Sequence, residues 1–245
     1  MTTVVKLGGS VITEKDRADT LDGAALDRLA DEIAAADVSD LVVVHGGGSF
    51  GHHHASEHGV SKTTGSTDAG AAVDINGAMK TLNEFVLARL HDRGVPAVPV
   101  HPFSVAYRDA DATLTLPTGQ VETMLVEGFV PVLHGDVVAH AGEGVTVVSG
   151  DELVVSVARG LDADRVGFCS TVPGVLDADD RVVERIDAYD EVADVLGDSD
   201  ATDVTGGMAG KVDALLDLAT PASIFGPDDL GAFLAGENPG TLIEG

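Results

Sequence analysis

Five lysines occur in the 245 residues, Lys6, Lys15, Lys62, Lys80 and Lys211, and three of them stand in or directly beside glycine-rich turns. Lys6 runs into Gly8-Gly9-Ser10, Lys15 follows within a short loop, and Lys211 comes after Gly206-Gly207. A further turn, His45-Gly46-Gly47-Gly48-Ser49-Phe50-Gly51-His52, follows the apolar run Leu41–Val44. The chain carries 41 Asp+Glu against 14 Lys+Arg, a net charge of −27, so solubility does not explain lysines kept at turns. Glycine lets main chain approach an anion closely, and N–H groups converge at a strand-to-helix turn with the positive end of the helix behind them. Ammonium groups beside such turns neutralise phosphate, and two phosphates cannot meet on so acidic a protein without local positive charge. The chemistry indicated is phosphoryl transfer. For any one lysine the plainer alternative is a surface residue with its stem on apolar surface. Lys6 is the hardest to explain that way, because an unpaired ammonium inside a buried strand is costly.

Three other readings of the same residues are weaker. Gly46 to His53 reads G-x-x-x-x-G-H-H, without the lysine and hydroxyl of a P-loop, so that reading is rejected. Gly46, Gly48 and Gly51 satisfy G-x-G-x-x-G after a strand, but the acid needed about twenty residues on would be Asp68, in a Thr/Ser/Gly loop. Dinucleotide binding stays as a runner-up. His52-His53-His54 with His58 suggests a metal site, yet no Cys or nearby carboxylate in the sequence completes a ligand set. No protein metal site is expected, and His53 and His54 read as surface or supporting residues.

The elements that must position these groups alternate. Thr3–Leu7, Leu41–Val44, Ala97–Val100, Val130–Leu133, Arg165–Cys169, Ala222–Phe225 and Gly240–Ile243 read as strands. Helical spacing covers 22–36, 69–93, 118–127 and 152–161, the last with Ser149 or Asp151 as N-cap, and another helix carries Lys211. Residues 137–148 read as a hairpin and 177–200 as an acidic, irregular excursion. Strands alternating with helices predict an α/β chain with a mainly parallel central sheet covered on both faces. An apolar slot for an uncharged ligand tail is expected among Val73, Met79 and Leu82 of the long helix and Val138 and Val147 of the hairpin, although ordinary core packing accounts for any one of them.

Charge excludes some partners. An acidic coat spread along the chain repels nucleic acid and anionic lipid, and it resembles proteins of a salt-rich cytoplasm, where screening removes the self-repulsion. The single Cys169, in an apolar run, is expected to be an inert core residue in a reducing cytoplasmic compartment. No apolar run approaches the roughly 18 residues of a membrane span, and no signal peptide is read.

Lys6-Leu7-Gly8-Gly9-Ser10, His45 to His52, His134-Gly135-Asp136, Ser149-Gly150-Asp151 and Asp203-Val204-Thr205-Gly206-Gly207-Met208 with Lys211, in that order, resemble the amino acid kinase superfamily. The histidine after Ser49-Phe50-Gly51 narrows the resemblance to archaeal isopentenyl phosphate kinases. The resemblance implies an open αβα sandwich with an acceptor-binding N-terminal lobe (1–148) and an ATP-binding C-terminal lobe (149–245). It implies transfer from ATP to isopentenyl phosphate, an isoprenoid-pathway step on an alternative mevalonate route, in a cytoplasmic homodimer. Lys6, Gly8, Gly9, Ser10 and Gly48 would touch the ATP phosphates, and Gly47, His52 and Gly150 the acceptor phosphate. Lys15 would stabilise the transferring group, Lys211 would approach ATP with Gly206 and Gly207, and Asp151 would orient the lysines. Mg2+ would ride on the ATP phosphates. Where relatives carry Thr-Asp-Val-Asp-Gly, this chain has Ser170-Thr171-Val172-Pro173-Gly174, with Thr171 on the nucleotide side, which leaves the base contacts open. A fosfomycin-type kinase and a nucleotide-sensing module are the alternatives.

Overall fold

The structure is a computed structural model describing residues 1–193 and 207–245. In chain order the N-terminal half contains β1 (Thr2–Leu7), α1 (Gly9–Ile12), α2 (Gly23–Ala35), β2 (Asp40–His45), α3 (Gly48–Glu57), α4 (Ala69–His91), β3 (Ala97–Val100) and α5 (Pro102–Val105). There follow β4 (Tyr107–Arg108), β5 (Leu114–Thr115), α6 (Gly119–Val126), β6 (Val130–His134), β7 (Asp136–His140) and β8 (Gly144–Val148). The remainder holds α7 (Gly150–Gly160), β9 (Arg165–Cys169), β10 (Arg185–Ile186), a helix Gly207–Leu216, β11 (Ala222–Phe225) and β12 (Thr241–Ile243).

An eight-stranded sheet runs in the order β10-β12-β11-β9-β1-β2-β6-β3, parallel throughout except where β11 meets β12. Strands before residue 149 form one half of it and strands after form the other, joined where β1 pairs with β9. The central strands are apolar on both faces because both are covered. Val4, Val42 and Val44 pack with Leu153, Val154 and Val157 of α7, while Val5, Leu7 and Val43 pack with Leu26, Leu29 and Ile33 of α2 and Leu82 and Val86 of α4. Each fully buried Val or Leu contributes about 1.5–3 kcal/mol relative to exposure, so these runs fix which face each strand presents.

A second, four-stranded sheet, β5-β4-β7-β8, was only half visible as the 137–148 hairpin. Its β4 and β5 are two residues each, too short for any periodicity. The 177–200 stretch, read as irregular, contributes β10 and a short 3-10 turn at Tyr189–Glu191, and residues 194–200 lie outside the described part.

The turns after β1 and β2 pack back to back. A Cβ on Gly9 would stand 2.1 Å from the Gly48 nitrogen, and one on Gly46 would stand 2.7 Å from the Gly9 nitrogen. Gly48 also has φ +50, in the left-handed region. Both glycine runs are therefore required by main-chain contact. Gly9→Ala is expected to cost about 2 kcal/mol or more in a denaturation titration in KCl, as overpacking against rigid backbone does. Gly23→Ala, at the half-buried start of α2 where an added Cβ meets nothing within 4 Å, should stay within about 1 kcal/mol of the parent.

Candidate active site

A cavity of about 570 Å³ opens where the carboxyl ends of β1 and β2 meet the first turns of α1, α3 and α7. Helix first turns leave N–H groups without intrahelical partners, so three such turns facing one space make an anion-binding surface. Lys6, Gly8, Gly9, Ser10, Lys15, Gly47, Gly48, His52, Gly150, Asp151, Thr171 and Lys211 all line it. Of the expected site residues, Gly207 is not in the lining; it opens the Lys211 helix with φ +61, a conformation that favours glycine. Gly206 lies outside the described residues.

Lys6 is the middle of the arrangement. Alternation along β1 sends Val5 and Leu7 to the α2 face and Val4 and Lys6 to the α7 face. There the Lys6 ammonium meets the Asp151 carboxylate at 2.5 Å, with both side chains largely covered (13% and 21% exposed). Ser149 caps α7 in a reciprocal box with Glu152, which fixes the turn bearing Gly150 and Asp151. The Lys6 and Lys211 nitrogens stand 5.8 and 5.9 Å from the centre of the Phe168 ring. Burial pushes the Asp151 carboxyl up, but the charges of Lys6, then Lys211, and a hydrogen bond from Lys6 hold it below the usual carboxylate range. An acid so held is an ionised anchor for cations.

Lys15 sits on a tied loop. Thr13 pairs with Leu21 across its neck, and the Ser49 hydroxyl donates to the Thr20 carbonyl at 3.2 Å. Thr13 Oγ1 donates to the Gly9 carbonyl and accepts from the Ser49 N–H, linking both glycine turns. Asp19 on this loop faces His54 Nε2 at 3.2 Å, and His54 Nδ1 meets Asp74 at 2.7 Å, with His58 also on Asp74. The fold thus supplies carboxylates to these histidines that sequence proximity did not. Among the described residues no group of three or more such side chains is arranged to hold a metal ion. His54 acts instead as a tie from α3 to the Lys15 loop, while His53 is exposed beside Glu57.

Beneath the turns lie residues that sequence reading did not assign. The stacked rings of His45 and His134, with centroids 5.7 Å apart, each donate from Nδ1 to the next residue's carbonyl, Gly46 at 3.1 Å and Gly135 at 2.9 Å. Burial lowers the pKa of both, that of His134 to about 3, so both are neutral and each Nε2 is an acceptor. His101 Nδ1, at 2.9 Å, donates to His134. The Asn83 side-chain oxygen stands 3.1 Å from His45 Nε2, but a neutral ring needs a donor there, so the amide presents its nitrogen. That nitrogen otherwise has no hydrogen-bond partner among the described residues. The histidine before each glycine turn is a signal that could have found these posts. Gly135 completes the cradle: a Cβ on it would lie 3.5 Å from the Gly150 nitrogen and 3.7 Å from that of Gly47.

Several slot candidates need correction. Val73 is 69% exposed, while Leu82 and Val138 are wholly buried in the core. The apolar end of the cavity is lined by Ala55, Val60, Ile75, Met79 and Val147. On α4 the buried face runs through Ala72, Ile75, Met79, Leu82 and Val86, so Ile75, two residues after Val73, is the one that faces inward. Cys169 is buried as expected, and burial pushes its thiol up to about 12.

Residues 1–225 match the Amino acid kinase family. The chain is 62% identical to an isopentenyl phosphate kinase of Haloferax volcanii, over 99% of this chain and 98% of that one. It is 32% identical to an isopentenyl phosphate kinase of Methanocaldococcus jannaschii, over 100% and 99%. A solved structure described as an X-ray structure of isopentenyl phosphate kinase superposes with a TM-score of 0.84 at 30% identity, covering 99% of this chain and all of that one.

The buried histidine post makes a pH prediction. A folded pKa of about 3 for His134, against 6.5 unfolded, stabilises fully above pH 6.5 and is progressively lost as pH falls toward 3. Buried Asp136, raised to about 7, runs the other way, contributing most below pH 3.8 and losing its contribution as pH rises through 7. Melting profiles of the parent and His134→Gln should therefore converge as pH drops from 7 to 5. A constant gap between them would contradict a neutral buried ring.

Proposed function

The chain belongs to the amino acid kinase family, and we propose that it transfers the γ-phosphoryl group of ATP to isopentenyl phosphate, giving isopentenyl diphosphate. The observation that carries this reading is one cavity holding Lys6, Lys15, Lys211 and His52 with an apolar end. The kinship at 62% identity supports the same acceptor.

The acceptor suits the residues. A phosphate monoester is already an anion near neutral pH, so its oxygen attacks without losing a proton to the protein. What remains is positioning and charge neutralisation. Gly47, Gly150 and His52 hold the acceptor phosphate, the imidazole as a hydrogen-bond donor. The five-carbon tail lies against Ala55, Val60, Ile75, Met79 and Val147, which ask for no polar partner. Lys6 with the N–H groups of Gly9, Ser10 and Gly48 takes the ATP phosphates at the turn that Gly8 ties to the Cys169 carbonyl, and Lys15 stabilises the phosphoryl group in transit. Lys211, with Gly206 and Gly207, approaches ATP from the C-terminal side, where Thr171 also stands. Asp151 keeps the ammonium groups in place and abstracts no proton. The acceptor tail and His52 thus belong to the half before residue 149, Thr171 and Lys211 bring ATP to the half after it, and the phosphates meet at the seam, where both halves contribute.

Magnesium would be held by the ATP phosphates rather than by protein carboxylates. The carboxylates of the cavity lining are Asp151, engaged by Lys6, and Asp136, buried and bonded to Asn76 and the Val137 N–H, so neither is an open ligand. When bound, the ion supplies charge neutralisation on the phosphates. The protein works in a salt-rich cytoplasm, and its homodimeric state rests on the resemblance alone. Among the described residues no helix is long and apolar enough to cross a membrane.

ADP release in concentrated KCl, scanned over isopentenyl phosphate, fosfomycin and nucleoside monophosphates, tests the assignment. Isopentenyl phosphate should be the preferred acceptor. Preference for fosfomycin would move the protein to the sister activity, and ATP binding without turnover would make it a sensor. In the same assay His52→Ala should raise the KM for isopentenyl phosphate by about tenfold or more while that for ATP changes by less than about threefold. Equal losses would contradict the division of the cavity.

A further inference from the structure

Four of the five lysines line the cavity, and the fourth, Lys62, has no part in the scheme above. We propose that Lys62 is a further binding residue for the acceptor phosphate, parked on Glu152 until that anion arrives. This inference rests on the acceptor reading just given.

The placement of Lys62 is built. The Val147 N–H donates to the Ser61 carbonyl at 3.0 Å, and Ser66 pairs with Val145, so the chain on both sides of Lys62 is fastened to β8. Strand β8 ends two residues before Gly150, whose nitrogen, like that of Gly47, stands near Gly135 in the acceptor cradle. Lys62 therefore lines the cavity next to its apolar end, two residues from Val60 and one from Ser61, which bonds to Val147.

Its present partner does not need it. Lys62 Nζ lies 3.1 Å from Glu152 Oε1, but Arg108 Nη2 donates to the same oxygen at 2.8 Å from a nearly sealed position. The other oxygen, Oε2, accepts from the Ser149 N–H at 3.0 Å and the Ser149 hydroxyl at 3.1 Å. Removing Lys62 leaves Glu152 bonded on both oxygens and its helix cap intact. The Lys62 side chain is 48% exposed, so its ion pair is of the weak, screened kind. A flexible ammonium on a fixed base, weakly held at the edge of an anion site, turns to a phosphate at little cost. In a chain of net charge −27 with five lysines, a spare cation here answers a specific anion.

Steady-state kinetics of the parent, Lys62→Met and Lys62→Arg in the same KCl concentration test this, with melting curves alongside. The expected result is an acceptor KM raised about tenfold in Lys62→Met, with the ATP KM and kcat within about twofold. Lys62→Arg should recover most of the loss, and neither variant should melt measurably lower. An unchanged acceptor KM, or equal rises for both substrates, would overturn the proposal. So would a lowered melting point without rescue by arginine, which would make Lys62 a structural partner of Glu152. Failure of the parent itself to phosphorylate isopentenyl phosphate would instead strike at the functional reading.

Discussion

The ion pair between Lys6 and Asp151 sets the terms for the rest of the molecule. It joins the central strand to the first turn of α7, and so spans the seam between the two halves of the sheet. A buried pair of this kind is a poor source of net stability, because desolvating two charges offsets most of their attraction. Its value is positional. With Asp151 ionised between them, Lys6 and Lys211 stand near the same Phe168 ring, where two ammonium groups alone would repel. An arriving phosphate then meets cations already gathered, without the reorganisation that water would require.

The strong negative charge of the protein makes that gathering necessary and also limits its reach. At physiological salt, fields fade over about 8 Å, and in concentrated KCl over less. The acidic coat is then felt mainly for its hydration and solubility, while contacts inside the cavity are decided by groups within a few ångströms. Backbone supplies the remainder. Two glycine turns touch main chain to main chain, and two neutral histidines beneath them grip the carbonyls of Gly46 and Gly135. A charged ring at either post would put a buried cation under the turns and cost several kcal/mol. The low pKa of these rings is thus part of how the turns keep their shape.

Much of this was legible in the sequence because it is local. A lysine in an apolar strand followed by glycines, or three glycines after a β-branched run, states its own requirement for an anion and a close backbone approach. The central sheet followed from strand and helix alternation in the same way. What escaped depended on partners distant in the chain. Lys62 reads as a surface lysine until β8 pairs with its loop and Glu152 comes beside it. The carboxylates facing His54 and His58 come from Asp19 and Asp74, brought in by two other elements. Val73 and Ile75 could not be told apart because the start of α4 is rich in alanine and glycine, which blurs the helical phase. The two-residue strands of the second sheet carry no period at all.

The most direct measurement follows the ammonium groups themselves. With five lysines, a protein labelled with 15N at the lysine Nζ has a spectrum simple enough to assign by single substitutions. On adding ADP, magnesium and isopentenyl phosphate together, the resonances of Lys6, Lys15 and Lys211 should shift and slow their proton exchange, while that of Lys80 stays in place. If those three remain as they were in the free protein, or Lys80 moves as much as they do, the lysines do not converge on the phosphates and the account fails.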